Sequence, residues 1–284
     1  MKIIEESRSK KTFEKHLVSI IIPLFNAEKY ISETIQSVIN QSYLNWELII
    51  VDDCSTDKSV DIVYDFEKID SRVKLIKSNQ NFGGPARPRN IGVENSQGEY
   101  IAFLDADDIW DIDKLQVQIA SMIDNSYHFS STNSNFIDKN SDIINSVKYK
   151  LLSIFKKNNF KETLCDLIKN RFIATSSVVV KREYIELFDE DIDLVSVEDL
   201  CLWLKLFNKD INYHYIDDKL LSYRVLDDSI SSRTTPHRQS TKANICILKF
   251  ILHNSRYDML ECFYAKIKAY RRINLLKRVL GKKV

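Results

Sequence analysis

The amino-acid sequence predicts an α/β protein with a mostly parallel central sheet flanked by helices. Short β-branched runs alternate with segments of helical periodicity from Leu17 to about Asp108. That rhythm is the signature of βαβ units. Acidic clusters close two of the runs, Asp52-Asp53 and Asp105-Ala106-Asp107-Asp108. The interior of a parallel strand excludes charge, so these carboxylates mark where strands leave the sheet.

In chain order, residues 1–16 form a polar, charged lead-in with no apolar core of signal-peptide length. Leu17–Pro23 (LVSIIIP) is fit for a strand buried on both faces. Glu28–Asn40 places Tyr30, Ile31, Ile35, Val38 and Ile39 at helical spacing. Trp46–Val51 is a second strand, and Cys54-Ser55-Thr56-Asp57 opens a helix running to about Asp70. Val73–Ile76 is a third strand, Arg89–Ser96 a short helix, and Tyr100–Leu104 a fourth strand ending on Asp105. A helix over Lys114–Asp124 follows.

The second half is less regular. Ile173–Val180 reads as a strand, Lys181–Phe188 as a short helix, and Ile211–Ile216 and Leu220–Arg224 as two strands. Val197–Phe207 is a firmer helix, with Leu200, Trp203, Leu204 and Phe207 on one face. From about Ser240 the chain is helical and basic. Eleven Lys and Arg residues between 242 and 284 face only Asp258 and Glu261, a net charge of +9. Such a segment suits two roles: a helix docked on the core with its charges solvated, or a helix on an anionic membrane surface.

With 284 residues, one large domain with a small appendage is expected. The divisions are a lead-in at 1–16, a main domain at 17–225, and a closing loop with a basic helical region at 226–284. The net charge of +1 excludes a general polyanion binder, so no nucleic acid partner is expected. The five cysteines include no CxxC pair. Their odd number points to small buried residues and a reducing compartment, not a disulfide framework. No run approaches the roughly 18 apolar residues that read as a membrane span. The expected location is the cytoplasm, or the inner face of a membrane.

In an extended DxD, Asp105 and Asp107 fall on the same side of the backbone. Two such carboxylates suit a hard cation, Mn²⁺ or Mg²⁺, shared with substrate phosphates. The bland alternative is an acidic loop before a helix. Asp52-Asp53 can accept hydrogen bonds from a base N–H or a ribose hydroxyl. Their alternative role is helix capping, for which Ser55, Thr56 and Asp57 already suffice. Arg87 and Arg89 suit a nucleotide or diphosphate, or surface ion pairs. Glu198-Asp199 opens a helix, and Ser196 with Asp199 makes an approximate capping box, so capping competes with catalysis there.

Taken together, VSIIIPLFN (Val18–Asn26), WELIIVDDCSTD (Trp46–Asp57), ARPRNIG (Ala86–Gly92), GEYIAFLDADD (Gly98–Asp108) and EDLCLWLKL (Glu198–Leu206) resemble the family 2 glycosyltransferases, a large inverting family with the GT-A fold. The resemblance covers about residues 17–225. It implies that Pro23, Phe25, Asn26, Asp53 and Arg89 line a nucleotide pocket that Asp52 supports. Phe25 stands where a tyrosine is common. The resemblance further implies that Asp105 touches ribose and metal, that Asp107 holds the metal, and that Asp199 is the catalytic base. Tyr223-Arg224 and Asp227-Asp228-Ser229-Ile230-Ser231 resemble a loop that closes over the diphosphate, with Leu226 where many relatives carry histidine. The implied donor is a UDP-sugar, and the implied acceptor a hydroxyl of a glycan or lipid-linked glycan in bacterial surface polysaccharide synthesis. Two other readings stand beside this one. A sugar-phosphate nucleotidyltransferase would need a glycine-rich loop where PLFNAEK stands. A catalytically silent nucleotide-binding subunit would not need Asp105, Asp107 and Asp199 together.

Overall fold

The computed structural model describes residues 15–146, 163–170, 173–209, 211–227 and 236–279. Four parallel strands form the first half of one eight-stranded sheet: β1 (Val18–Leu24), β2 (Trp46–Asp52), β3 (Val73–Lys77) and β4 (Tyr100–Phe103). The second half comprises β5 (Ile109–Trp110), β6 (Phe129–Ile137), β7 (Val179–Lys181) and β8 (Tyr213–Arg224). The strand order is β3-β2-β1-β4-β7-β6-β8-β5. β7 runs antiparallel to both β4 and β6, whereas β6 and β8 are parallel. This is the α/β architecture expected from the sequence.

Side-chain alternation along β1 divides the core. Val18, Ile20, Ile22 and Leu24 point to one face of the sheet, and Ile21 to the other. The first face is covered by α1 (Ile31–Ile39), α2 (Ser59–Ile69) and α4 (Lys114–Asp124). The second is covered by α3 (Ala86–Glu94), α5 (Leu164–Asn170), α6 (Glu198–Phe207) and α7 (Pro236–His253). Each fully buried aliphatic side chain contributes roughly 1.5–3 kcal/mol. α3 lies so close to β1 that a Cβ at Gly92 would overlap the side chain of Ile21. A last helix, α8 (Leu260–Val279), follows α7.

Several expectations needed correction. The predicted strand at Ile173–Val180 is a 3₁₀ turn, Thr175–Ser177, followed by β7. Its three polar side chains are buried and hydrogen-bonded, which favours a turn over a ladder. The helix predicted at Lys181–Phe188 is a single 3₁₀ turn, Arg182–Tyr184. The two strands predicted at 211–224 are one, β8, with a register shift opposite Asn133 that leaves Asp217 and Asp218 out of the pairing. β6 itself (FSSTNSNFI) carried no apolar signal, yet it is almost wholly buried. Two of its hydroxyls find partners inside: Ser130 Oγ accepts from Gln118, and Ser131 Oγ bonds the Tyr213 hydroxyl at 2.5 Å, whereas Thr132 Oγ1 and Ser134 Oγ are buried without one among the described residues.

The cysteines depart from expectation most clearly. Cys165 is bonded to Cys262, joining α5 to α8, and Cys201 to Cys246, joining α6 to α7. An odd count excludes full pairing, but four cysteines brought together by helix packing can pair and leave Cys54 free. The basic region is also part of the fold. Ala243, Cys246, Ile247, Phe250 and Ile251 of α7 share the core with α6. Lys242 Nζ donates to the Val195 carbonyl at 3.2 Å, and Lys266 Nζ to Asn244 at 2.7 Å. Most of the lead-in (1–14), Asp228–Ser231 of the closing loop, and the side chains from 270 onward lie outside the described residues. No described helix is long and apolar enough to cross a membrane.

Candidate active site

The carboxyl ends of β1, β2 and β4 open on one side of the sheet. Leu24 pairs with Asp52 in the β1–β2 register, and the Asp53 amide donates to the Leu24 carbonyl at 2.8 Å. Pro23, Phe25, Asn26, Asp52 and Asp53 are thereby brought together. Phe25 is 52% exposed, an uncovered ring beside the crevice. Asn26 adopts φ 48°, a left-handed conformation that asparagine tolerates. Its side-chain oxygen accepts from the Thr56 amide at 2.8 Å, and its own amide donates to Ser55 Oγ. These bonds tie the β1 loop to the β2 loop.

Neither Asp52 nor Asp53 caps α2. Asp52, buried, accepts from the Ser55 amide at 3.1 Å. Asp53 accepts from the Phe82 amide at 2.9 Å. Burial, with the neighbouring Asp52 carboxylate, holds the Asp53 carboxyl above its usual range.

Asp105, Asp107 and Asp108 curl around the end of β4. Thr34 Oγ1 donates to the carbonyls of Ala106 (3.1 Å) and Asp108 (2.9 Å). Burial and the Asp105 charge push Asp107 up to about 7. Burial and the Asp107 charge raise Asp108 as well. A divalent cation would relieve such crowding of carboxylates. Among the described residues no three His, Cys, Asp or Glu side chains gather into a metal cage. Two carboxylates at an open crevice instead fit Mg²⁺ or Mn²⁺, which take one or two protein carboxylates and complete their shell with phosphates and water. Asp105 and Asp107 are the residues that would hold it.

Arg89 is placed unlike the pocket-lining residue the sequence suggested. It is buried, and its two terminal nitrogens are already engaged: one with Asp105 at 2.7 Å, the other with Glu198 at 2.9 Å. Those carboxylates raise its pKa against the opposing effect of burial. The guanidinium therefore couples the acidic loop of β4 to the start of α6. Arg87 sits outside, bridging Glu94 and Glu190.

Asp199, next to Glu198, is half-buried. Burial first, and the Glu198 charge second, raise it to about 7. The capping box is not formed: Val197, just before α6, makes no side-chain cap, and Ser196, at φ 78°, has its Oγ buried without a partner among the described residues. Asp199 instead accepts from the Leu200 amide at 2.6 Å and contacts Thr175 Oγ1 at 3.4 Å.

Sequence reasoning missed three contributors. Glu198 was read with Asp199 as a helix-opening acid, capping or catalytic, and not as the partner of Arg89. The Thr175-Ser176 turn was hidden in a presumed strand, although three hydroxyl residues within a β-branched run were a visible irregularity. Arg224 was noted only by resemblance. Its fully buried side chain donates to the Asp107 carbonyl at 2.7 Å and pairs with Glu33 at 2.7 Å, and its amide donates to Asp108 at 2.8 Å.

Residues 19–188 match the family model described as Glycosyl transferase family 2. The chain belongs to that family. The glycosyltransferase is 37% identical over 218 residues to TuaG of Bacillus subtilis (strain 168), named for glycosyl transfer in teichuronic acid biosynthesis; the match covers 77% of this chain and 82% of TuaG. It is 38% identical over 221 residues to WfgD of Escherichia coli, a UDP-Glc:alpha-D-GlcNAc-diphosphoundecaprenol beta-1,3-glucosyltransferase, covering 77% and 81% of the two chains. The fold is shared with Staphylococcus aureus TarS in complex with UDP-GlcNAc, at a TM-score of 0.65 and 21% identity over 82% of this chain and 66% of that one. The family match ends at 188, so the assignment does not depend on Asp199.

Proposed function

We propose that this glycosyltransferase moves a sugar from a UDP-sugar to a hydroxyl of a lipid-linked glycan, with inversion and with a divalent metal. The observation that carries this reading is the Arg89 bridge, which sets the acidic loop of β4 beside the helix that presents Asp199.

Phe25 stacks on the base, and Asn26, Asp52 and Asp53 fix the loops around it. Mn²⁺ or Mg²⁺, when bound, supplies Lewis acidity that offsets charge on the leaving diphosphate. Asp105 and Asp107 orient that charge at the end of β4. Asp199 takes the proton from the acceptor hydroxyl as the oxygen attacks the anomeric carbon from the face opposite the leaving group. A carboxyl titrating near 7 is well matched to that task at neutral pH. Arg89 holds Glu198 and Asp105 in register and does not itself need to meet substrate.

The relatives support the substrate classes. WfgD uses a UDP-sugar and a lipid diphosphate acceptor, as its name states. Such an acceptor brings the enzyme to the cytoplasmic face of a membrane, where the basic segment 242–284 would face anionic lipid. The test is mass spectrometry of cell lipid extract incubated with the enzyme and several nucleotide sugars. A mass gain of one sugar on a lipid-linked species, dependent on a UDP-sugar, is expected. Transfer from no nucleotide sugar would overturn the reading.

A further inference from the structure

The turn Thr175–Ser177 touches both halves of the candidate site. Ser176 is 1% exposed. Its Oγ accepts from the Asp105 amide at 3.0 Å and donates to Asp108 Oδ2 at 2.5 Å. One hydroxyl thus pins both ends of the Asp105–Asp108 curl, with Asp107 between them. The turn is itself anchored from beneath, because the Trp110 indole N–H donates to the Ser176 carbonyl at 2.7 Å. One residue earlier, Thr175 Oγ1 meets Asp199.

We propose that Ser176 is a positioning residue for the metal-binding loop, and that the Thr175-Ser176 pair sets the spacing between that loop and the base. The inference rests on the metal-dependent reading above. The Asp105 amide is held by its bond to Ser176 Oγ. Asp108 is too buried to be a ligand and serves as the anchor. Its carboxylate receives Ser176 on one oxygen and the Arg224 amide on the other. Ser177 provides an internal comparison. Its Oγ donates only to the Ala174 carbonyl, so it stabilises the same turn without touching an acid.

The experiment is calorimetric titration of Mn²⁺-dependent UDP binding in wild type, Ser176→Ala and Ser177→Ala, alongside thermal melting. Loss of a hydrogen bond that orients a metal ligand weakens metal affinity by roughly 10-fold or more. Ser176→Ala is expected to raise the Mn²⁺ concentration for half-saturation about 10-fold, with full UDP binding restored at high Mn²⁺. Ser177→Ala is expected to titrate like wild type. Equal shifts in both variants, or no shift in Ser176→Ala, would overturn the inference while wild type keeps its metal dependence. If wild type binds UDP equally well without metal, the underlying reading falls first and this inference with it. Should Ser176→Ala fail to fold, Trp110→Phe loosens the same turn from the far side. It is expected to shift the Mn²⁺ requirement in the same direction, and an unchanged requirement would count against the proposal.

Discussion

Arg89 and Glu198 meet at 2.9 Å although 109 positions separate them in the chain. Both side chains are buried, so the pair fastens α3 to α6 beneath the crevice. Breaking a buried pair by removing one partner leaves the other charge stranded, at about 3–5 kcal/mol. Arg89→Met is expected to lower stability by that order in urea denaturation. Adding Glu198→Gln to it should recover part of the loss, because the stranded carboxylate is gone.

Asp107→Asn is expected to abolish Mn²⁺- or Mg²⁺-dependent UDP binding while leaving the fold intact by circular dichroism. Full turnover of this variant in EDTA-treated buffer would refute the metal assignment.

Asp199→Asn separates catalysis from local hydrogen bonding. The amide oxygen of asparagine can still accept from the Leu200 amide. As a general base, however, Asp199 is worth roughly 10²–10⁴-fold in rate. The variant is expected to lose transfer by that factor and to bind UDP normally. In wild type, the base works only when unprotonated. With a pKa near 7, transfer should rise with pH to a plateau above about 7. The stability effect has the opposite sign. The folded state keeps a proton on Asp199 that the unfolded chain releases from about pH 4 upward. Stability contributed by that proton is therefore lost as pH rises from about 4 to 7. Asp199→Asn should flatten that slope in melting curves.

Nucleotide choice is expected to favour UDP. Calorimetry with Mn²⁺ and four nucleoside diphosphates tests it, and tighter binding of GDP or CDP would count against the assignment. Phe25→Ala should weaken UDP binding by roughly 1–3 kcal/mol, the usual range for base–aromatic stacking.

The basic tail is expected to float with anionic liposomes at low salt and to release at high salt, at roughly 1 kcal/mol per basic residue near the surface. Equal flotation with neutral lipid, or none, would leave the tail as a packing element alone.

The first half of the fold was legible because parallel strands buried on both faces must be apolar. Val18–Leu24 and Trp46–Asp52 cannot easily be read otherwise. The carboxylates at their ends were legible for the same reason, since Glu47, near the start of β2, is the one charge inside β1, β2 or β4 ahead of Asp52. β6 was not legible, because hydroxyl and amide side chains can be buried when neighbours satisfy some of them, and the partners Gln118 and Tyr213 lie 12 and 82 positions from the serines they meet. Arg89 was found, but its engagement was not. A guanidinium that binds phosphate and one that locks two carboxylates look the same in sequence. The disulfides escaped because pairing depends on helix packing, which cysteine spacing does not encode.

β4 meets β7 along only three residue pairs, Tyr100 to Lys181 through Ala102 to Val179. On one side of that seam lie β1 and β2, which end at Leu24 and Asp52; on the other lies the chain that presents Asp199. Few backbone bonds cross that joint, so side chains carry much of the coupling: Arg89 with Glu198, and Ser176 with Asp105 and Asp108. A hybrid gene assembled from two relatives at that joint would have to bring both sides of those contacts together. It would fold well only where the incoming glutamate and serine match the resident arginine and aspartates.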